Sequence, residues 1–214
     1  MNIKDGLDTI NNLFEAMSIN DEDILKVQLK EYLKTSKITH ESQIITKDTL
    51  KLAHIYCILN RLSAQQYGPL LEKFIINKYN FRKNNASAGT GDCSKDNKNV
   101  EIKASLGGAE NNKFNYVQIR LNHNIDYYLL TAYNISDNNL NNYGDLYIFK
   151  LTKDDIKKLI FKYGGYAHGT IKKFGEITME NLTNDSNKEY AIRPKLNDKC
   201  WSELLNYRIS EDEI

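Results

Sequence analysis

The 214-residue sequence predicts an α+β (mixed α/β) fold, and three observations carry that expectation. Apolar residues recur at helical spacing over the first part of the chain. The period then shortens to two in four segments rich in β-branched and aromatic residues, and a later stretch returns to helical patterning. Helices, then strands, then helices suit a sheet covered by helices.

The N-terminal part, residues 1–62, reads as helical. "IKDGLDTINNLFEAM" sets Ile3, Leu7, Ile10, Leu13 and Phe14 on one face, "NDEDILKVQLKEYL" repeats the pattern with acids in its first turn, and "TKDTLKLAHIYCILNRL" follows Thr46 in the same way. These helices carry no chemistry of their own and could form a dimer interface. A fourth helix, "SAQQYGPLLEKFIINKY", is expected from near Ser63, with Pro69 tolerable in its first turns or at a break.

After Asn80 come the strand-like segments "KNVEIKAS", "FNYVQIRL", "IDYYLLTAYNI" and "GDLYIFKL", separated by Gly, Asn and Asp clusters and expected to pair mostly in sequence. "TKDDIKKLIFKYGG" then reads as a helix with Thr152 as N-cap, Asp154 and Asp155 in the first turn, and Gly164 at its stop. "NDKCWSELLNYRI" is a closing helix in which Trp201, Leu204 and Leu205 pack. Residues 63–209 thus form one core, and residues 210–214 are expected to fray.

Composition narrows the function classes. A hydrophobic content of 41% and a mean hydropathy of −0.58 fit a soluble globular protein. No apolar run approaches the roughly 20 residues of a membrane helix, and the first residues lack a signal-peptide pattern, so a cytoplasmic location with no membrane partner is expected. Cys57, Cys93 and Cys200 are widely spaced and read as reduced thiols. Net charge is only +1, but residues 66–175 carry 16 Lys+Arg against 10 Asp+Glu. That surplus permits a polyanionic partner without requiring one.

The stretch "GTGDCSKDNKNVEIKAS", residues 89–105, carries the chemistry. In "VEIKA" the strand period places Glu101 and Lys103 on one face, with Val100, Ile102 and Ala104 on the other, toward a core. A solvent-facing Glu/Lys pair would have the same pattern. Asp92 lies where the chain can return antiparallel through the "CSKDNKN" turn, so that two carboxylates converge. Close carboxylates repel unless a divalent cation lies between them, and oxygen donors favour Mg²⁺, which retains waters and accepts phosphate oxygens. An ammonium at Lys103 would orient the attacking water and offset charge at phosphorus.

Asp92, followed by Glu101-Ile102-Lys103, resembles the D…(D/E)xK active site of the PD-(D/E)xK nuclease superfamily, and the chain length and expected sheet are similar to those of type II restriction endonucleases. One departure is Gly91, where the family often has Pro. The resemblance covers roughly residues 66–170. It implies a restriction-endonuclease-like central mixed sheet flanked by helices, with Mg²⁺ as cofactor, Mn²⁺ able to substitute, and no organic cofactor. Asp92 and Glu101 would hold the metal with help from the Ile102 carbonyl, Lys103 would assist the water, and Glu72, on the helix before Asp92, would add an acidic group. Glu72 shares a helical face with Gly68, Ile75 and Ile76, and Gln65 and Gln66 are weaker alternates.

The implied activity is sequence-specific cleavage of double-stranded DNA at a palindromic site by a homodimer, leaving 5′-phosphate ends. A repair nickase or junction resolvase would share the motif, and a non-catalytic DNA-binding protein is the reading outside the enzymes.

DNA contacts are expected from two stretches. "NNKFNYVQIRLNHN" offers Lys113, Asn115, Gln118, Arg120, Asn122 and His123, with Tyr116, Gln118 and Arg120 expected on one strand face. "YGGYAHGTIKK" offers Tyr166, His168, Thr170, Lys172 and Lys173 in a glycine-framed loop. Cys93 adjoins Asp92 but has no partner His near it in sequence, which excludes cysteine catalysis.

Overall fold

A computed structural model describes residues 64–85, 89–108, 112–135, 145–184 and 188–214. The N-terminal helices and the dimerisation role expected of residues 1–62 lie outside the described residues, as does Cys57.

A hairpin organises the structure. Cys93–Lys95 (β2) pairs antiparallel with Lys98–Gly108 (β3) in the register Cys93↔Val100, Ser94↔Asn99 and Lys95↔Lys98. The two residues left to turn the chain, Asp96 and Asn97, have φ of 51° and 61°. Paired left-handed residues are what a two-residue hairpin matched to strand twist requires, and Asp and Asn tolerate them best after Gly. Arg82–Lys83 (β1) adds to the outer edge of β2.

On its other edge β3 pairs in parallel with Tyr127–Ile135 (β5), which pairs antiparallel with Asp145–Thr152 (β6). The five-stranded order is β1-β2-β3-β5-β6, a mixed sheet flanked by helices. It is not sequential, as the turn spacing had suggested. Tyr116–Arg120 (β4) leaves this sheet and joins Glu189–Ile192 (β8) and Gly165–Tyr166 (β7) in a second sheet of order β4-β8-β7. The departure of β4 is what allows β3 and β5 to lie side by side in parallel, since parallel neighbours need a crossover between them.

Ala64–Lys78 (α1) runs through Pro69 in its second turn and packs across β3, burying Leu71, Phe74, Ile75 and Ile76. Lys153–Tyr163 (α2) starts as expected: Thr152 accepts from the Asp155 N–H and Asp155 accepts from the Thr152 N–H, a reciprocal cap. It ends at Gly164 in extended rather than left-handed backbone, φ −87° and ψ −178°. There a Cβ would lie 2.7 Å from Ile160 Cα, so close packing selects the glycine.

The short helices Ile171–Phe174 (α3) and Met179–Asn184 (α4) precede β8. Lys199–Leu204 (α5), capped by Asp198, closes the core and continues into a 3-10 turn, Leu205–Tyr207. Trp201 and Leu204 are buried, but Leu205 is 41% exposed, against expectation, because the helix gives way to the 3-10 turn there. Trp201 stacks on Phe114 with ring centroids 5.0 Å apart and meets Tyr147 and Phe149 edge-on. The tail expected to fray forms a further 3-10 turn, Glu211–Glu213, and the Ile214 carbonyl accepts from Lys95 Nζ at 2.6 Å. Among the described residues no helix is long and apolar enough to cross a membrane.

Candidate active site

Backbone pairing brings the acidic residues together. Cys93 faces Val100, so Asp92, one residue earlier, falls opposite Glu101 on the same side of the hairpin. Regular β2 pairing has ended there, and a side chain takes over the ladder's role: the Ile102 N–H donates to Asp92 Oδ2 at 2.8 Å. The Asp92 backbone is held from the other edge, where the Asn84 N–H donates to its carbonyl at 3.0 Å.

The direction of the Ile102 carbonyl follows from the same alternation. The Asn99 N–H donates to Asp126 Oδ2 at 2.7 Å and its carbonyl accepts the Asp126 N–H at 2.9 Å, both at the β5 edge. Both groups of one strand residue leave on one edge, and the edge alternates along the strand. Ile102, three residues on, therefore turns its N–H and its carbonyl to the β2 side, where Asp92 sits.

Glu101 and Lys103 share a face with Tyr128 and Leu130 through the β3–β5 register, while Val100 and Ile102 face the other way and are buried. The pair does not face solvent. Glu101 is 5% exposed, and Lys103 Nζ lies 2.6 Å from Glu101 Oε1. Buried carboxylates need a partner, and Lys103 supplies one for Glu101.

The charges remain unbalanced. Burial and then the neighbouring Glu101 raise the pKa of Asp92, against the lowering effects of Lys103, the Ile102 N–H and Lys83. Glu72, half-buried on α1, is pushed up to about 7, first by burial and then by Asp92, with Lys83 and Lys103 opposing. Three carboxyl groups thus share one electrostatic neighbourhood with two ammonium groups. Lys83, on the exposed edge strand β1, was not anticipated; the basic pair in "NFRKNN" gives no signal before the β1–β2 register is known. The side chains of Gln65 and Gln66 lie outside the described residues.

This donor set fits a divalent cation held partly by water and substrate. Among the described residues no group of three His, Cys, Asp or Glu side chains closes a metal site by itself. The set is instead two carboxylates, Asp92 and Glu101, and a backbone carbonyl, Ile102, which leaves the remaining positions to waters and phosphate oxygens, as Mg²⁺ prefers. Cys93 is inert: burial raises its thiol to about 12, and it lies against the Val100 carbonyl at 3.9 Å.

The DNA-contact residues are dispersed. Lys113, Asn115, Gln118 and Asn122 are exposed and His123 is half-buried, its carbonyl accepting from Lys153 Nζ at 2.7 Å. The face shared by Tyr116, Gln118 and Arg120 does not form. Gln118 has φ 56° and the β4–β8 register shifts between Tyr116 and Ile119, so Tyr116 and Ile119 are both buried while Gln118 points outward. Arg120 is engaged by Glu189, with Nη2 and Nε at 2.6 and 2.8 Å from Oε1.

In the second stretch, Tyr166 is no loop contact. It is buried in β7, stacks on Tyr190, and donates to the Gly175 carbonyl at 3.0 Å, because a strand paired with β8 forms there instead of an open turn. His168, Thr170, Lys172 and Lys173 are exposed. Ser105 and Lys195, missed in the sequence, become relevant only through contacts made by residues 112–115. No protein-family model matches the chain, and no curated protein matches it either.

Proposed function

We propose that the chain is a Mg²⁺-dependent, sequence-specific endonuclease of double-stranded DNA, related in its site to type II restriction enzymes of the PD-(D/E)xK superfamily and acting in the cytoplasm as a homodimer. One observation carries the reading: Asp92, Glu101 and Lys103 meet where β2 stops pairing with β3, and Glu72 senses the same charges.

Asp92, Glu101 and the Ile102 carbonyl would hold the cation. When bound, Mg²⁺ supplies a Lewis acid for a phosphate oxygen and acidifies its water. The protein's own groups do the rest. The Ile102 N–H fixes the Asp92 carboxylate, so its geometry is set before substrate arrives. Lys103, held by Glu101, directs an ammonium toward the attacked phosphate, where it orients the incoming water and offsets charge on the phosphoryl oxygens. Glu72, which burial biases toward its protonated form, would release that proton as positive charge accumulates beside it. Hydrolysis with departure of the 3′ oxygen leaves a 5′-phosphate. A symmetric site cut on both strands calls for two copies.

The test is digestion of plasmid and phage DNA with Mg²⁺, followed by sequencing of the ends. Discrete fragments with common termini are expected, with Mn²⁺ able to substitute and Lys103→Ala losing at least 100-fold in rate, about the contribution of one positioned charged group. Open circles alone would mean a nickase, and intact duplex with cleaved junctions a resolvase. No cleavage, together with calorimetric Mn²⁺ binding unchanged by Asp92→Ala, would leave a non-catalytic protein.

A further inference from the structure

Residues 112–115 form a strap tied at both ends. The Leu196 N–H donates to the Asn112 carbonyl at 2.9 Å, and the Phe114 N–H to the Pro194 carbonyl at 2.8 Å. Phe114 is fully buried, stacked on Trp201 and seated on Gly107, where a Cβ would come within 2.5 Å of its ring. The Asn115 N–H donates to the hydroxyl of Ser105 at 2.8 Å, and Ser105 is fully buried on β3. Ser105 lies two residues beyond Lys103 on the same strand face, so the strap is indexed to the catalytic strand.

This anchoring forces an unfavourable pair. Lys113 and Lys195 are direct partners in an isolated antiparallel bridge, and both are exposed. Partners in such a bridge project to the same side about 5 Å apart, where like charges repel. Among the described residues neither ammonium has an ion-pair partner. The carboxylate nearest Lys195 along the chain, Asp198, is occupied as a cap, accepting from the Lys195 and Trp201 N–H groups at 2.8 and 2.7 Å. Buried Phe114 and the Pro194 carbonyl fix the register, so the two lysine backbones stay paired while their exposed side chains extend from the same side. Such a pair lowers its energy by taking up anions.

We propose that Lys113 and Lys195 form a clamp for two successive backbone phosphates of the DNA substrate, held at a fixed distance from the cleavage site by the Ser105–Asn115 link. The substrate class rests on the nuclease reading; the clamp itself rests on the forced lysine pair. Two residues of β3, the Ser105–Asn115 link and two residues of the strap separate the clamp from Lys103, a chain path of roughly 15–20 Å. That places the clamp within about five nucleotides of duplex rise, so it would grip the flank of the cut position and contribute affinity without base preference.

The experiment is fluorescence anisotropy of a labelled duplex with the full chain, in EDTA, across KCl from about 50 to 200 mM, where phosphate contacts dominate. Lys113→Gln and Lys195→Gln should each flatten the slope of log K against log salt by about 0.9, and together by about 1.8. Thermal midpoints should stay level or rise, because a repulsion is removed. Wild-type slopes in both variants would overturn the clamp, and so would a lowered thermal midpoint, which would make the lysines part of the strap's stability instead. A parallel digestion with Mg²⁺ separates the two claims. A wild-type chain that binds duplex through these lysines but never cuts it refutes the nuclease reading alone. One that cuts while the variants keep its salt slope refutes the clamp alone.

Discussion

Replacing Glu72 by Gln isolates the electrostatic strain that defines the candidate site. The Glu72 carboxyl ionises near 7 in the folded chain against 4.5 for an ordinary glutamate, first because of burial and then because of Asp92. The sign follows from proton counting. Between pH 4.5 and 7 the folded state keeps a proton that the unfolded chain has released, so the stabilisation is fully present below the lower value and is lost as pH rises through the upper one. The gap of about 2.5 pH units corresponds to about 3 kcal/mol at full value. Because Glu72 is only half-buried, solvent screening reduces this to about 1–2 kcal/mol. At 2–4 °C per kcal/mol for a chain of this size, the expected difference is about 2–8 °C. Thermal unfolding of wild type and Glu72→Gln in metal-free buffer between pH 5 and 8.5 reads it directly: the wild-type midpoint should fall relative to the variant as pH rises. Millimolar Mg²⁺ at pH 8 should restore the wild type more than the variant. Parallel curves for the two proteins would refute the assignment of Glu72 to the carboxylate cluster.

Two further outcomes follow from backbone and packing. Gly91→Ala places a Cβ 2.5 Å from the Val100 carbonyl oxygen at a residue with φ 76°, so a loss of about 2–4 kcal/mol in urea unfolding is expected, with loss of the proposed cleavage as Asp92 shifts. Tyr166→Phe removes a hydroxyl bonded to the Gly175 carbonyl and should cost about 1 kcal/mol of stability while leaving DNA affinity unchanged.

What could be read in the sequence was what depends on neighbours along the chain. The Asp92–Lys103 hairpin is local: a period-two strand, a polar turn and a short return arm leave almost one register, and that register alone brings Asp92 opposite Glu101. The Thr152 cap was legible for the same reason. Sheet order was not, because the parallel β3–β5 pairing depends on β4 finding β8, a four-residue strand about seventy positions later. Gln118 in left-handed backbone carries no warning in its side chain, so the bulge that buries both Tyr116 and Ile119 breaks an alternation that looked regular. The partial burial of Glu72 was legible from its helical face, but its ionisation was not, since that depends on Asp92 arriving from another element.

The glycine before Asp92 is the point where the sequence departs from the pattern it otherwise resembles, and local geometry accounts for it. Gly91 takes φ 76° with the Val100 carbonyl oxygen pressed against the position of its missing Cβ. Proline, fixed near −65°, cannot adopt that backbone. The approach has a consequence one residue later: the chain crosses close over β3, and Asp92 meets the Ile102 N–H at 2.8 Å at a position where a longer β2 would have paired backbone to backbone. Extending β2 regularly as far as a Gly91–Ile102 pair would satisfy that N–H from the main chain and release the Asp92 carboxylate from it. Terminating β2 with a glycine crossing therefore turns a ladder position into a fixed carboxylate, and places it on the same edge as the Ile102 carbonyl that would share its cation.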